Sequence, residues 1–99
     1  MDKNKTTIYS VVYTCINADD FQNPHITVKT FLTQEKAEKY IKKDYESTLK
    51  LETAESLLDI VDHNNYGHHA FIKMGNSGND WMDGEVECIF QWRIHTNLV

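Results

Sequence analysis

Three histidines crowd one short stretch of this chain, His63, His68 and His69, with His25 and His95 elsewhere. Neutral imidazoles are common metal ligands. A spacing of i, i+5 and i+6 matches no zinc pattern, however, and no C-x-x-C pair is present to complete a tetrahedral site. The stretch reads as a solvated loop, and no metal and no cofactor is expected. A small-molecule or metal-binding domain built on His63, His68 and His69 is the alternative function.

A second constellation overlaps the first. Asp62-x-Asn64-x-Tyr66-Gly67 resembles the opening of an EF-hand calcium loop, with an acid first, an amide third and glycine sixth. The fifth position is Tyr66 instead of a short oxygen ligand. The twelfth is Lys73, where a bidentate glutamate is needed and a cation repels calcium. Asn64, Asn65 and Gly67 are better explained as turn formers that follow a helix.

The two cysteines, Cys15 and Cys88, could pair with a histidine as a nucleophile and its base. Both lie within alternating strand patterns, where a packed thiol is inert, and neither is flanked by a glycine-rich elbow. They read as small core hydrophobes. No G-x-x-x-x-G-K-[ST] or G-x-G-x-x-G run supports nucleotide binding. The chain therefore reads as a binding protein rather than an enzyme, with no catalytic residue assigned.

The residue with the strongest claim to function is Trp81, in Asn79-Asp80-Trp81-Met82-Asp83-Gly84. A large aromatic between carboxylates on a connection suits docking, because loops run over the surface and Trp is enriched where partners bind. The competing use is closure of the core by Trp81 folded back over the sheet edge. Two stretches are purely acidic: Glu52, Glu55, Asp59 and Asp62, then Asp80, Asp83, Glu85 and Glu87. The expected partner-binding residues are Asp80, Trp81, Asp83, Glu85, Asp59 and Asp62. The expected partner is a protein with a basic surface, which makes this an inhibitor or immunity-type protein.

Charge also limits the alternatives. The net charge is −5, and the one concentration of lysines, Lys36 to Lys50, is diluted by Glu35, Glu38, Asp44 and Glu46 on the same helix. Direct nucleic-acid binding is not expected. No apolar run approaches the roughly 20 residues that span a bilayer, so no membrane is expected either. The N-terminus leads into a strand-like alternation rather than a signal-peptide core, and the expected location is the cytoplasm.

The elements that must position these residues are legible from periodicity. With 99 residues, of which 40% are hydrophobic, the chain is expected to build one core. From Glu85 to His95 the even positions Val86, Cys88, Phe90, Trp92 and Ile94 are apolar, a strand with one face in a core. Thr7 to Ile16 is a strand apolar on both faces, which predicts a central strand covered on both sides. Residues His25 to Leu32 form a second strand, carrying Ile26, Val28, Thr30 and Leu32 on one face, and pair with the first as a hairpin. As an exposed edge, this strand could also join two copies as a homodimer across a two-fold axis.

Thr33 is a good N-cap for a helix whose stripe is Ala37, Tyr40, Ile41, Tyr45, Thr48 and Leu49. Ser47 and Thr48 weaken it, so a second, shorter helix capped by Thr53 and carrying Ala54, Leu57, Leu58 and Val61 is favoured over one long bent helix. A strand from His69 to Met74 and the final strand complete the order ββααββ. The expected fold class is α+β, a two-layer domain with a four-stranded, mainly antiparallel sheet and one or two helices on one face.

Overall fold

The computed structural model describes residues 6–17, 23–55, 58–75 and 86–98. Its elements are β1 (Thr7–Asn17), β2 (His25–Phe31), α1 (Gln34–Glu55), β3 (Asp59–Asn65), β4 (His69–Gly75) and β5 (Val86–Leu98). The strands form one antiparallel sheet in the order β2-β1-β5-β4-β3. The chain lays down a hairpin at one edge, crosses to the other edge through α1, and returns strand by strand until β5 pairs with β1. The class is α+β, as periodicity predicts. The strand number and the order ββααββ are corrected, because the described chain holds five strands and one helix.

The correction has a local cause. Thr53, expected to cap a second helix, instead bonds its hydroxyl back to the Leu49 carbonyl at 2.7 Å, inside the same helix. The helix therefore runs on to Glu55. The following stretch Asp59-Ile60-Val61 carries two β-branched residues and pairs with β4 as an edge strand. A bulge between Ile60 and Asp62 sets Ile60 opposite Met74 and Asp62 opposite Lys73. In a regular strand residues two apart share a face, and the bulge is what puts Ile60 and Asp62 on opposite ones.

At the other end of α1, the Thr33 hydroxyl accepts the Lys36 amide at 3.2 Å, the N-cap expected of it. Ala37, Ile41 and Tyr45 are buried, and Tyr40 and Leu49 pack against them from the same stripe. This stripe meets the odd positions of β1 and the even positions of β4 and β5, where Val11, Ala70, Ile72, Met74, Cys88 and Trp92 complete the buried core. Trp92 is wholly buried, and its indole N–H donates to an Asp44 carboxylate oxygen at 2.8 Å. The polar atom of the largest core side chain is thus satisfied by the helix that covers it.

One helix covers one face. Among the described residues no element packs on the other side of the sheet, so β1 lies inside the sheet, next to the edge strand β2, but is covered on one face only, contrary to its apolar pattern, and β5 is the central strand. Its residues Ile8, Val12 and Ile16 are half-buried there. On β2 the register places Phe31 opposite Tyr9 and toward Tyr40. Ile26 and Val28 therefore face outward, 55% and 57% exposed. No helix among the described residues is long and apolar enough to cross a membrane.

Candidate functional site

Antiparallel pairing puts opposed residues on the same face, so the registers map the uncovered side. One row across the sheet runs Asn64, Phe71, Gln91, Thr14, Ile26, and the next runs His69, Arg93, Val12, Val28. The face has two halves. Over β1 and β2 it is aliphatic, with threonines between the apolar groups. Over β3, β4 and β5 it is aromatic and cationic.

In the second half the rings of Tyr66, His69 and Phe71 lie side by side, with centroids 6.0–6.4 Å apart. The Lys73 ammonium sits over the Phe71 ring at 5.5 Å. The Gln91 side-chain amide donates to His69 Nε2 at 3.0 Å, which requires a neutral imidazole protonated on Nδ1. Burial, then the positive charges of Arg93 and His68, hold the His69 pKa below the ordinary histidine value. Where a folded-state pKa is lowered, the unfolded chain binds more protons between the two values. Stability is therefore present above the unfolded pKa and falls as pH drops from about 6.5 toward the folded value. His69→Gln should flatten that part of the curve in denaturant titrations at successive pH. An unchanged slope would show that His69 is as free to protonate as in the unfolded chain.

The histidine cluster read from the sequence is divided by the sheet. His63 pairs with Ile72 and lies on the helix side, where its Nδ1 is 2.7 Å from the Tyr45 hydroxyl. Burial and the neighbouring Glu46 raise the Tyr45 pKa, so its phenol stays protonated, and the direction of the bond follows the His63 tautomer. His69 faces the uncovered side, and His68 sits in the hairpin loop. Among the described residues no three His, Cys, Asp or Glu side chains are grouped to hold a metal ion.

The calcium-like stretch is corrected in the same way. Asp62 and Asn64 lie on β3 instead of on a loop after a helix, and Tyr66, Gly67 and His68 make the hairpin loop to β4. Gly67 has φ of 93° and donates its N–H to Asn65 Oδ1 at 2.8 Å. A Cβ at this position would also lie 3.3 Å from a Glu38 carboxylate oxygen, so Gly67→Ala should cost on the order of 1 kcal/mol or more in a thermal or denaturant melt.

Both cysteines lie on the helix side and are free. Cys88 is buried, and burial followed by the proximity of Cys15 pushes its thiol pKa up to about 12. A thiol so protonated is a poor nucleophile, and Cys88 should resist alkylation at pH 8 in the native protein but react fully in denaturant. Rapid native labelling of Cys88, located by mass spectrometry, would contradict its packed position.

Of the partner-binding residues expected from sequence, Asp59 and Asp62 are exposed on the β3 edge. Asp80, Trp81, Asp83 and Glu85 lie outside the described residues. Asp59 pairs with Gly75, and Gly75 pairs with Val86, the residues that bound the connection carrying those four. Asp59 therefore stands at the sheet end from which that connection leaves. The aromatic and cationic group of Tyr66, Phe71, Gln91 and Arg93 is not assigned by sequence reasoning. The available signal is the same alternation that places Trp92 and Ile72 inward, read for its opposite phase.

Comparison with known protein families, with curated proteins and with solved structures finds no match to this chain.

Proposed function

We propose that this protein is a non-enzymatic protein-binding module, of inhibitor or immunity type, that receives its partner on the uncovered face of the sheet. The acidic residues Asp59 and Asp62, with Asp80, Asp83 and Glu85 and the anchor Trp81, supply the charge and aromatic contact for a basic patch on that partner. The observation that carries this reading is the face itself: it keeps Ile26 and Val28 more than half exposed at one edge and rings and Arg93 toward the other. Contiguous apolar surface left in water on a small protein marks a docking site. Five strands about 4.8 Å apart and about seven residues long make a face of roughly 550 Å², most of the roughly 800 Å² that each partner contributes to a standard interface.

Affinity capture from host lysate followed by mass spectrometry tests the reading, with variants run alongside the native chain. Arg93→Glu changes an exposed residue of the face, and Asp59→Asn with Asp62→Asn neutralises the acidic edge. The face variant should lose the captured protein. The acidic variant should retain it with slower association and weaker dependence on salt. Trp81→Ala should weaken binding by roughly 2 kcal/mol or more while leaving the unfolding midpoint nearly unchanged. Equal capture by Arg93→Glu and the native chain, with both folded, would remove the sheet face from the interface.

A further inference from the structure

The two edges of the sheet are built differently. β3 is interrupted by the bulge between Ile60 and Asp62, and it presents the exposed carboxylates of Asp59 and Asp62. Bulges and edge charges are the devices by which sheets avoid pairing with other chains. β2 has no bulge, and its one charged side chain is Lys29. Its seven residues pair with β1 in unbroken register, no acidic residue lies in His25–Phe31, and Pro24 precedes the strand instead of interrupting it. No described strand pairs with its outer side. Its one lysine, Lys29, leans back over the Tyr40 ring at 5.3 Å, toward the helix and away from the edge.

From these observations we infer that β2 is a self-pairing edge, and that its occupant is β2 of a second copy of this chain, antiparallel across a two-fold axis normal to the sheet. The axis passes at Val28. Only this register uses all seven residues, because it sets His25 opposite Phe31 of the second copy and Ile26 opposite Thr30 of the second copy. It also sets Lys29 opposite Thr27 of the second copy. Moving the axis to Lys29 would leave His25 and Ile26 without partners across the edge. The pairing would form roughly six to eight main-chain hydrogen bonds and make one continuous ten-stranded sheet with both helices on the same side. The two aliphatic halves of the uncovered faces would then adjoin. This inference is independent of the proposed docking function, since it uses the strand edge and leaves Arg93, Asp59 and Asp62 free.

The test is the mass in solution, by light scattering across a dilution series, of the native chain and of Val28→Lys. The Val28 side chain is 57% exposed, so the substitution does not enter the core; it places lysine against lysine at the axis. The native chain should run at twice the chain mass and fall to the chain mass on dilution. The variant should run at the chain mass throughout, with an unchanged circular dichroism spectrum. Register is read separately with Val28→Cys and Thr27→Cys, each oxidised by glutathione disulfide, which accepts the two electrons and two protons released as one S–S bond forms. Val28→Cys should give a covalent dimer rapidly and Thr27→Cys slowly, because only residue 28 faces its own copy. A native chain that is monomeric at every concentration, a dimer unaffected by Val28→Lys, or equal crosslinking of the two cysteine variants would each overturn the inference.

Discussion

Trp92→Ala is expected to lower the unfolding free energy by about 3–5 kcal/mol, a large share of what a small domain has. Trp92 is wholly buried, lies between the rings of Tyr13 and Tyr45, and donates its N–H to Asp44. Truncation removes the largest buried side chain, opens a cavity, and leaves the Asp44 carboxylate without that donor. Asp44→Ala should cost about 1–3 kcal/mol, because it leaves a buried N–H unpaired. Since the two groups share one contact, a double-mutant cycle should show non-additivity. Phe90, expected from its alternation to be an equal of Trp92, is only half-buried and should cost less. Urea titration gives all these values, and a Trp92→Ala loss below roughly 1 kcal/mol, the scale of surface substitutions, would place the indole on the wrong face of the sheet.

Ile41→Ala should cost about 2–5 kcal/mol, and Ile26→Ala less than roughly 1 kcal/mol. One isoleucine lies on the helix and the other on an edge strand, and they differ most in what lies over them. Ile41 has no exposed surface and presses α1 onto the sheet, whereas Ile26 is 55% exposed on the other side. The comparison measures coverage directly, because a large-to-small change costs energy in proportion to the contacts and cavity it leaves. Should Ile26→Ala destabilise the monomer as much as Ile41→Ala does, some part of the chain must pack over the second face. The docking surface proposed for that face would then not exist.

Much of this arrangement is legible in the residues themselves. Alternation is a local property, so β1, β2, β4 and β5 and their two phases follow from side chains two apart, as does the inward position of Trp92. The helix start follows from Thr33 and the stripe from Ala37 to Leu49, again within a few turns of chain. The stretch from Leu58 to Asn65 is different. Leu58 and Val61 fit a three-residue helical spacing as well as Ile60 and Val61 fit an edge strand, and the choice is made by β4, whose unpaired side accepts β3.

The candidate site was hidden for a related reason. Residues His63 and His69 are close in sequence, and only the hairpin at Gly67, with the registers on either side of it, turns one toward Tyr45 and the other toward Gln91. Likewise, β1 carries apolar groups on both faces, yet whether a second layer covers them depends on how many helices the chain can supply. The sequence by itself determined the alternation of β1, β2, β4 and β5 and the Thr33 cap of α1, because those depend on neighbours along the chain. Tertiary structure alone decided that a single helix shields one face of the sheet, that β3 is a strand and forms its second edge, and that Tyr66, Phe71, Gln91 and Arg93 meet, because pairing between distant strands sets which side chains share a face.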